Sequence, residues 1–166
     1  MPTTTTTCEI CTRIRQIDAK TNPYFVAELT SGYVVIGDHQ LCRGYSLFLC
    51  KEHKNELHEL PTAAKLAFLE EMSLVAEAVF LAFAPNKMNY ELLGNSIEHM
   101  HWHLFPRHAD DIRPIGPVWV IDRSLRYADS ARPSPDELHV LKHTLLEALR
   151  RTAGERISRS FLDDGM

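Results

Sequence analysis

Short segments of alternating or β-branched apolar residues dominate the first third of the chain. Residues 24–29 and 33–36 are rich in aromatic and β-branched side chains, and Thr30-Ser31-Gly32 between them is a turn signal, so the pair predicts a hairpin. Residues 46–50 have the same character and predict a third strand. The polar residues 38–44, which precede this third strand, predict an exposed loop.

The middle of the chain changes to helical spacing and then returns to strands. From 61 to 84, apolar residues recur every three or four positions with charged residues between them, and this predicts an amphipathic helix. Pro61 suits its first turn and Pro85 ends it. Residues 88–93 and 99–105 then predict two further strands, joined by a turn at Gly94-Asn95-Ser96.

The last third of the chain starts with prolines and ends with a helix signal. Pro106, Pro114 and Pro117 indicate an extended excursion, after which residues 118–121 predict a short edge strand. Ser134, Pro135 and Glu137 form the combination expected at a helix start, and the helix should run over about 135–151. The whole pattern predicts a single α+β domain over 1–166 with about five strands, one long helix after strand three and a C-terminal helix.

Composition narrows the class of partner. The chain has 166 residues, of which 45% are hydrophobic, and its formal net charge of -4 provides no general attraction for nucleic acid or an anionic membrane. Residues 1–7 contain no basic region leading into an apolar segment, so they are expected to be flexible rather than a signal or an anchor, and we expect a cytoplasmic protein. A small molecule is the expected ligand.

Three histidines alternate with apolar residues in the last predicted strand. Because successive side chains of a strand point to opposite faces, His99, His101 and His103 should share one face. Imidazoles can supply a nucleophile, a proton donor or a metal ligand near neutral pH. One alternative is a zinc-dependent hydrolase that uses all three as ligands of a catalytic metal, although about 6.6 Å of strand between the first and last strains that geometry.

A second candidate motif is Cys8-Glu9-Ile10-Cys11. Two cysteines at this spacing can bind one zinc ion, which needs two further ligands. A redox pair or two unrelated thiols are the alternatives, but no strand is predicted before the motif, as a thioredoxin-like unit requires.

Taken together, these residues resemble the histidine triad family. The segment from His99 to Phe105 matches its signature of three histidines separated by hydrophobic residues, and it continues into Pro106-Arg107 as in many members. Residues 44–53 and Leu57 resemble the family's strand and the Lys-x-His stretch that follows it. The resemblance covers 8–107 and implies an antiparallel sheet, whereas the extension 108–166 is not diagnostic.

The resemblance implies a hydrolase that cleaves nucleotide conjugates at the α-phosphate, such as diadenosine polyphosphates or nucleoside phosphoramidates. His101 would be the nucleophile and form a nucleotidyl-histidine intermediate, and His103 would donate a hydrogen bond to the same phosphate. Similar uridylyltransferases and dinucleotide phosphorylases have a glutamine at the position that corresponds to His103. The resemblance therefore implies that a histidine here favours hydrolysis over nucleotidyl transfer. A nucleotidyltransferase of the same family and a nucleotide-binding protein with little turnover remain alternatives.

The resemblance also implies a metal set, a pocket and an assembly. In zinc-containing members, the ligands correspond to Cys8, Cys11, His53 and His99, with His58 as the competitor of His53; four protein ligands make the Zn²⁺ structural, and no organic cofactor is expected. Similar proteins form homodimers. The residues implied or considered for nucleotide binding, besides His103, are Asp38 for the ribose, Asn95 and Ser96 for phosphate oxygens, and Asn89 as a weaker candidate.

Overall fold

The computed structural model of the chain describes residues 8–113 and 115–162, so the segment 1–7 expected to be flexible lies outside the described residues. The strands are β1 (Phe25–Glu28), β2 (Gly32–Ile36), β3 (Ser46–Cys50), β4 (Lys87–Glu91) and β5 (His101–Arg107). The α-helices are α1 (Glu9–Asp18), α2 (Thr62–Phe83), α3 (Arg123–Arg126) and α4 (Pro135–Ala153). Short 3₁₀ turns cover Leu57–Glu59, Val118–Val120, Asp129–Ala131 and Gly154–Arg156.

The five strands form one antiparallel sheet in the order β1-β2-β3-β5-β4. This arrangement confirms the predicted single α+β domain, its long helix after the third strand and its C-terminal helix. The helix α4 begins as its sequence predicts: the Ser134 hydroxyl accepts from the backbone N–H of Glu137, whose carboxylate accepts from the backbone N–H of Ser134.

The two faces of the sheet carry different layers. One face packs against α2 and α4 through a core that includes Val34, Phe48 and Leu104. The opposite face carries the smaller α1, whose Ile10 and Ile17 pack against the other side chains of the same strands. Because side chains alternate along a strand, the residues next to Leu104 in sequence emerge on the side of α1.

Three details differ from the sequence-based expectations. The helix α1 was not predicted. Strand β5 starts at His101 rather than at residue 99, and it continues through Pro106 to Arg107. The edge strand predicted at 118–121 is wrong: the backbone N–H groups of Val120 and Ile121 bond to the carbonyls of Pro117 and Val118, which closes a 3₁₀ turn instead of a strand ladder.

The loop 38–44 is also less exposed than its polar sequence predicts. The Gln40 amide donates to the carbonyls of Gly37 and Tyr45 at 2.8 and 2.9 Å, and its oxygen accepts from the backbone N–H of Gly44 at 2.8 Å. One amide side chain therefore folds the loop back onto the sheet. Separately, within residues 8–113 and 115–162, no helix combines the length and apolar character needed to cross a membrane.

Candidate active site and metal centre

The strand β5 carries the candidate catalytic side chains on the α1 side of the sheet. His101 and His103 share this face as alternation predicts, and their ring centroids lie 4.7 Å apart in an edge-to-face arrangement. Trp102 and Leu104, on the other face, pack into the core beneath α2 and α4. The apolar face thus fixes the strand and presents two imidazoles on the opposite side.

His101 is buried, with 5% of its surface exposed, and one of its nitrogens is held by the backbone. Its Nδ1 lies 2.7 Å from the carbonyl oxygen of His99. Because a carbonyl only accepts, Nδ1 carries the proton and Nε2 keeps a free lone pair. Burial lowers the pKa of His101, so the neutral form is favoured near pH 7.

His103 is oriented by Tyr45. The Tyr45 hydroxyl lies 2.7 Å from Nδ1 of His103, and the Tyr45 ring stacks on Phe105 with centroids 4.1 Å apart. Burial, followed by the proximity of His101, lowers the pKa of His103 to about 3, while burial raises the pKa of Tyr45. Both groups are therefore neutral at pH 7, and the Tyr45 hydroxyl keeps its proton.

A glycine makes the position of Tyr45 possible. Gly44 adopts φ +88°, and a Cβ atom there would collide with the ring of Phe83 on α2. Only glycine takes this conformation without a steric cost. Gly44 thus lets the loop before β3 approach α2 closely. Because Tyr45 is the next residue, this approach also sets the position from which Tyr45 reaches His103.

A cavity of about 330 Å³ opens in front of the two imidazoles. The strands contribute apolar side chains to its floor, and α1 forms one side. The loop after β2 and the segment 118–127 close the remaining sides. The side chains that line the cavity include Ile10, Arg13, Val35, Asp38, His39, Tyr45, Leu47, Leu49, His101, His103, Phe105, Trp119, Arg126 and Tyr127.

Of the predicted nucleotide-binding residues, the structure brings Asp38 to the cavity together with His103. Asp38 forms a bidentate ion pair there: Nη1 and Nη2 of Arg13 donate to its two oxygens at 2.8 Å each. This pairing raises the pKa of Arg13 and keeps the guanidinium charged. The carboxylate is therefore fixed at the rim between α1 and the loop after β2.

The other predicted polar residues lie elsewhere. Asn95 and Ser96 are exposed and do not line the cavity. Asn89 lies on β4, where its Oδ1 accepts from Arg107 at 3.1 Å, and it lines a separate shallow depression. The turn 94–96 projects into solvent with Gly94 at φ +70°, which the local sequence pattern did not reveal.

The second cluster contains the four predicted zinc ligands. One ligand atom each from Cys8, Cys11, His53 and His99 lies within 4.8 Å of all the others. The Sγ to Nδ1 distances are 3.6 Å from Cys8 to His99, 3.4 Å from Cys11 to His99 and 3.2 Å from Cys11 to His53. A tetrahedron with Zn–S of about 2.3 Å and Zn–N of about 2.1 Å has sulfur-to-nitrogen edges of about 3.6 Å, so the donor set fits zinc.

The orientation of His99 supports the same interpretation. Its Nε2 lies 2.9 Å from the carbonyl oxygen of Cys50 and must donate to it, which leaves the Nδ1 lone pair directed at the two thiols. Burial lowers the pKa of His99 to about 4, so its imidazole is neutral, as a metal ligand must be. The competitor His58 is exposed on the 3₁₀ turn and is not part of the cluster.

Several residues that shape the site were missed by sequence reasoning. Tyr45 lies in the stretch 44–53 but received no individual role from the sequence, and neither α1 nor Arg13 on that helix was predicted. No sequence pattern singled out His39, yet it lines the cavity and meets Tyr127 edge-on. Trp119 and Arg126 also line the cavity, but they lie in the extension 108–166, which has no diagnostic motif. The only available sequence signal there was the presence of aromatic and basic residues among prolines.

Comparisons with known proteins show that the sheet and its paired imidazoles on β5 are similar to those of histidine triad proteins. Residues 33–110 match the family model described as the HIT domain, where HIT stands for histidine triad. This segment of the chain is therefore similar to the HIT domain. A search of curated proteins found no match.

Solved structures share the fold at low sequence identity. A histidine triad protein from Marinobacter aquaeolei VT8 is 23% identical with a TM-score of 0.66, over 78% of this chain and 90% of that one. A zinc-bound histidine triad family protein from Mycobacterium smegmatis is 18% identical with a TM-score of 0.62, over 92% and 99%. The diadenosine triphosphate hydrolase of Plasmodium falciparum is 13% identical with a TM-score of 0.56, over 78% of each chain.

Proposed function

We propose that this protein is a nucleotide hydrolase that cleaves nucleotide conjugates at the α-phosphate through a nucleotidyl-histidine intermediate on His101. The observation that carries the proposal is the hydrogen bond from Nδ1 of His101 to the backbone, which leaves Nε2 as a neutral nucleophile in a cavity of nucleotide-compatible size. The HIT domain match and the diadenosine triphosphate hydrolase among the structural neighbours support it.

In the first step, the Nε2 lone pair of His101 forms a bond to the α-phosphorus while the bond from phosphorus to the leaving group breaks. In the second, the oxygen of a water molecule bonds to the same phosphorus and the P–N bond breaks, which returns the electron pair to Nε2 of His101, while the proton released by the water passes to solvent. When the Tyr45 hydroxyl donates to Nδ1, His103 carries its proton on Nε2 and can donate a hydrogen bond to a phosphate oxygen or to the departing atom.

The cavity also offers places for the rest of a nucleotide. Val35, Leu47 and Leu49 provide an apolar floor on which a base can lie. The lone pairs of Asp38 that Arg13 does not use can accept from ribose hydroxyls at the rim. Asn89, Asn95 and Ser96 have no part in this proposal, because none of them lines the cavity.

Cys8, Cys11, His53 and His99 would hold a structural zinc ion, since four protein ligands leave no coordination position for water. When bound, the metal supplies a rigid link between the start of α1 and His99, which lies two residues before β5. A catalytic zinc on all three histidines is not supported, because His99 turns towards the thiols and Nδ1 of His101 is bonded to the backbone.

The test is turnover of diadenosine triphosphate and of an adenosine 5′-phosphoramidate by wild type, His101→Ala and His101→Asn, with His139→Ala on α4 as the matched control. We expect both His101 variants to lose at least about 1,000-fold in kcat, as removal of a nucleophile does. Intact mass spectrometry during turnover should show a nucleotidyl adduct on wild type alone. A folded His101→Ala protein with wild-type turnover would overturn the proposal, and nucleotide binding with no turnover by wild type would favour a binding protein.

A further inference from the structure

The segment 118–127 lies outside the HIT domain match, and it closes one side of the cavity. Val118 is buried against Cys42 and Phe105, which anchors the segment to the sheet. The indole of the next residue, Trp119, lies edge-on to His103, with centroids 5.4 Å apart and planes at 82°. The segment thus places a large aromatic side chain directly against a candidate catalytic residue.

Trp119 is held at its other edge as well. Its Nε1 donates to the carboxylate of Glu91 on β4, and its ring also lies edge-on to Phe105 at 5.8 Å. A hydrogen bond and two ring contacts leave the indole little freedom. The indole can therefore hold a side chain that packs on its ring face in a fixed position.

Arg126 lies on that face. The Cζ atom of its guanidinium lies 4.9 Å from the ring centroid of Trp119 and 5.4 Å from that of Tyr127, and Nε donates to the carbonyl of Ile121 at 3.0 Å. These contacts occupy the base of the planar fork and leave Nη1 and Nη2 without a hydrogen-bond acceptor among residues 8–113 and 115–162. A fork held in this way is preorganised for a bidentate anion.

The two arginines of the cavity lining differ in whether a carboxylate pairs with them. Arg13, the other arginine of the lining, is neutralised by Asp38 at 2.8 Å and by Glu9 at 3.1 Å. Among the described lining residues, Arg126 is the one arginine or lysine with no carboxylate within 4.0 Å.

We propose that Arg126, supported by Trp119 and Tyr127, is an anion subsite that binds a phosphate of the leaving group beside His103. This inference rests on the proposed function and narrows its substrate class to phosphoanhydrides, whose leaving group is an anionic phosphate such as a nucleoside diphosphate. Cleavage of the phosphoanhydride P–O bond moves negative charge onto that phosphate. A fixed guanidinium there stabilises the transition state more than the ground state. A phosphoramidate releases an amine and gains nothing from Arg126.

The test compares kcat/KM for diadenosine triphosphate and for an adenosine 5′-phosphoramidate in wild type, Arg126→Gln and Arg126→Lys. Arg151→Gln on the exposed face of α4 is the matched control. For Arg126→Gln we expect about a 100-fold loss with diadenosine triphosphate and less than about a threefold loss with the phosphoramidate, as for removal of one transition-state donor. Arg126→Lys should recover only part, because lysine lacks the planar fork. Equal losses on both substrates, or no loss on either, would overturn the subsite.

Calorimetric titration with ADP and AMP separates this proposal from the one on which it rests. Wild type should bind ADP at least about tenfold more tightly than AMP, and Arg126→Gln should abolish that difference, as expected for loss of a charge-assisted contact. If wild type turns over neither substrate, the hydrolase proposal fails. The anion subsite is then tested by the ADP and AMP titrations alone. Equal affinities of wild type for ADP and AMP would overturn it.

Discussion

The carbonyl oxygen of His99 lies 2.7 Å from Nδ1 of His101, while the imidazole of His99 faces the thiols of Cys8 and Cys11. One residue therefore belongs to both clusters: its side chain is a candidate metal ligand, and its backbone sets the tautomer of the candidate nucleophile. The metal centre and the active site are coupled through a single peptide unit.

This coupling predicts that loss of the metal lowers turnover. Wild type should contain close to one zinc ion per chain by elemental mass spectrometry, and Cys11→Ser should lose it. The variant should also have a lower melting temperature, because a metal that binds only the folded chain stabilises the fold. We expect kcat to fall by about tenfold or more, in line with changes around other metal sites. His58→Ala, which alters an exposed histidine outside the cluster, should keep both zinc and activity. A fully active Cys11→Ser protein without zinc would contradict the coupling.

Tyr45→Phe should lower kcat while preserving the fold. The substitution removes the hydroxyl 2.7 Å from His103 but keeps the ring that stacks on Phe105. Without this partner, His103 loses its fixed tautomer, and we expect a fall of about 10- to 100-fold in kcat, the range of a general acid–base contribution. The exposed Tyr90 on β4 provides the control Tyr90→Phe, which should be unchanged. Steady-state kinetics of wild type, Tyr45→Phe and Tyr90→Phe with diadenosine triphosphate measures this difference in kcat.

The buried state of His103 predicts a loss of stability in acid. Its pKa is about 3 in the folded chain and 6.5 in an ordinary setting, so the unfolded chain binds a proton below pH 6.5 that the folded chain does not. The free energy of unfolding should therefore fall as pH drops from 7 to 5, by up to about 2 kcal/mol from this residue. Urea titrations of wild type and His103→Gln at the two pH values measure it. A pH dependence identical in both proteins would refute the assignment.

Glu71 on α2 should be far more important for stability than its neighbour Glu70. The side chain of Glu71 is fully buried and accepts from the backbone N–H groups of Thr30 and Ser31 in the β1–β2 turn. Glu71→Ala leaves these donors without a partner and should cost about 2–4 kcal/mol of unfolding free energy. Glu70, whose side chain is 60% exposed and paired with Arg156, should cost less than about 1 kcal/mol when changed to alanine. Equal effects in denaturant titrations would contradict the burial argument.

The expected homodimer can be tested at the free edge of the sheet. β4 is an edge strand, and Tyr90 on it and Leu93 just beyond it are about half exposed, so this edge can pair with a second copy. Light scattering should give twice the chain mass of 19.0 kDa. Tyr90→Glu should shift the protein to a monomer, whereas Val140→Glu on α4 should not. A wild-type monomer at micromolar concentration would exclude this assembly.

The sequence by itself determined the local elements and the chemistry that lies on one element. Alternation from His99 to Phe105 correctly assigned His101 and His103 to one face, since period two is a property of a single strand. The capping residues Ser134 and Glu137 likewise located the start of α4, because their hydrogen bonds connect residues three apart. Such features depend on neighbours in the chain and are readable from it.

Tertiary structure alone decided which distant residues meet. The sequence did not distinguish a loop in solvent from a loop folded onto the cavity, so the exposure of 38–44 was predicted wrongly. It also offered no sign that Asp38 pairs with Arg13, or that Arg126 reaches the cavity over Trp119. The separation of His53 from His58 required the path of the chain after β3. These outcomes depend on long-range packing, whose free energy is shared among many contacts and is not encoded in any short pattern.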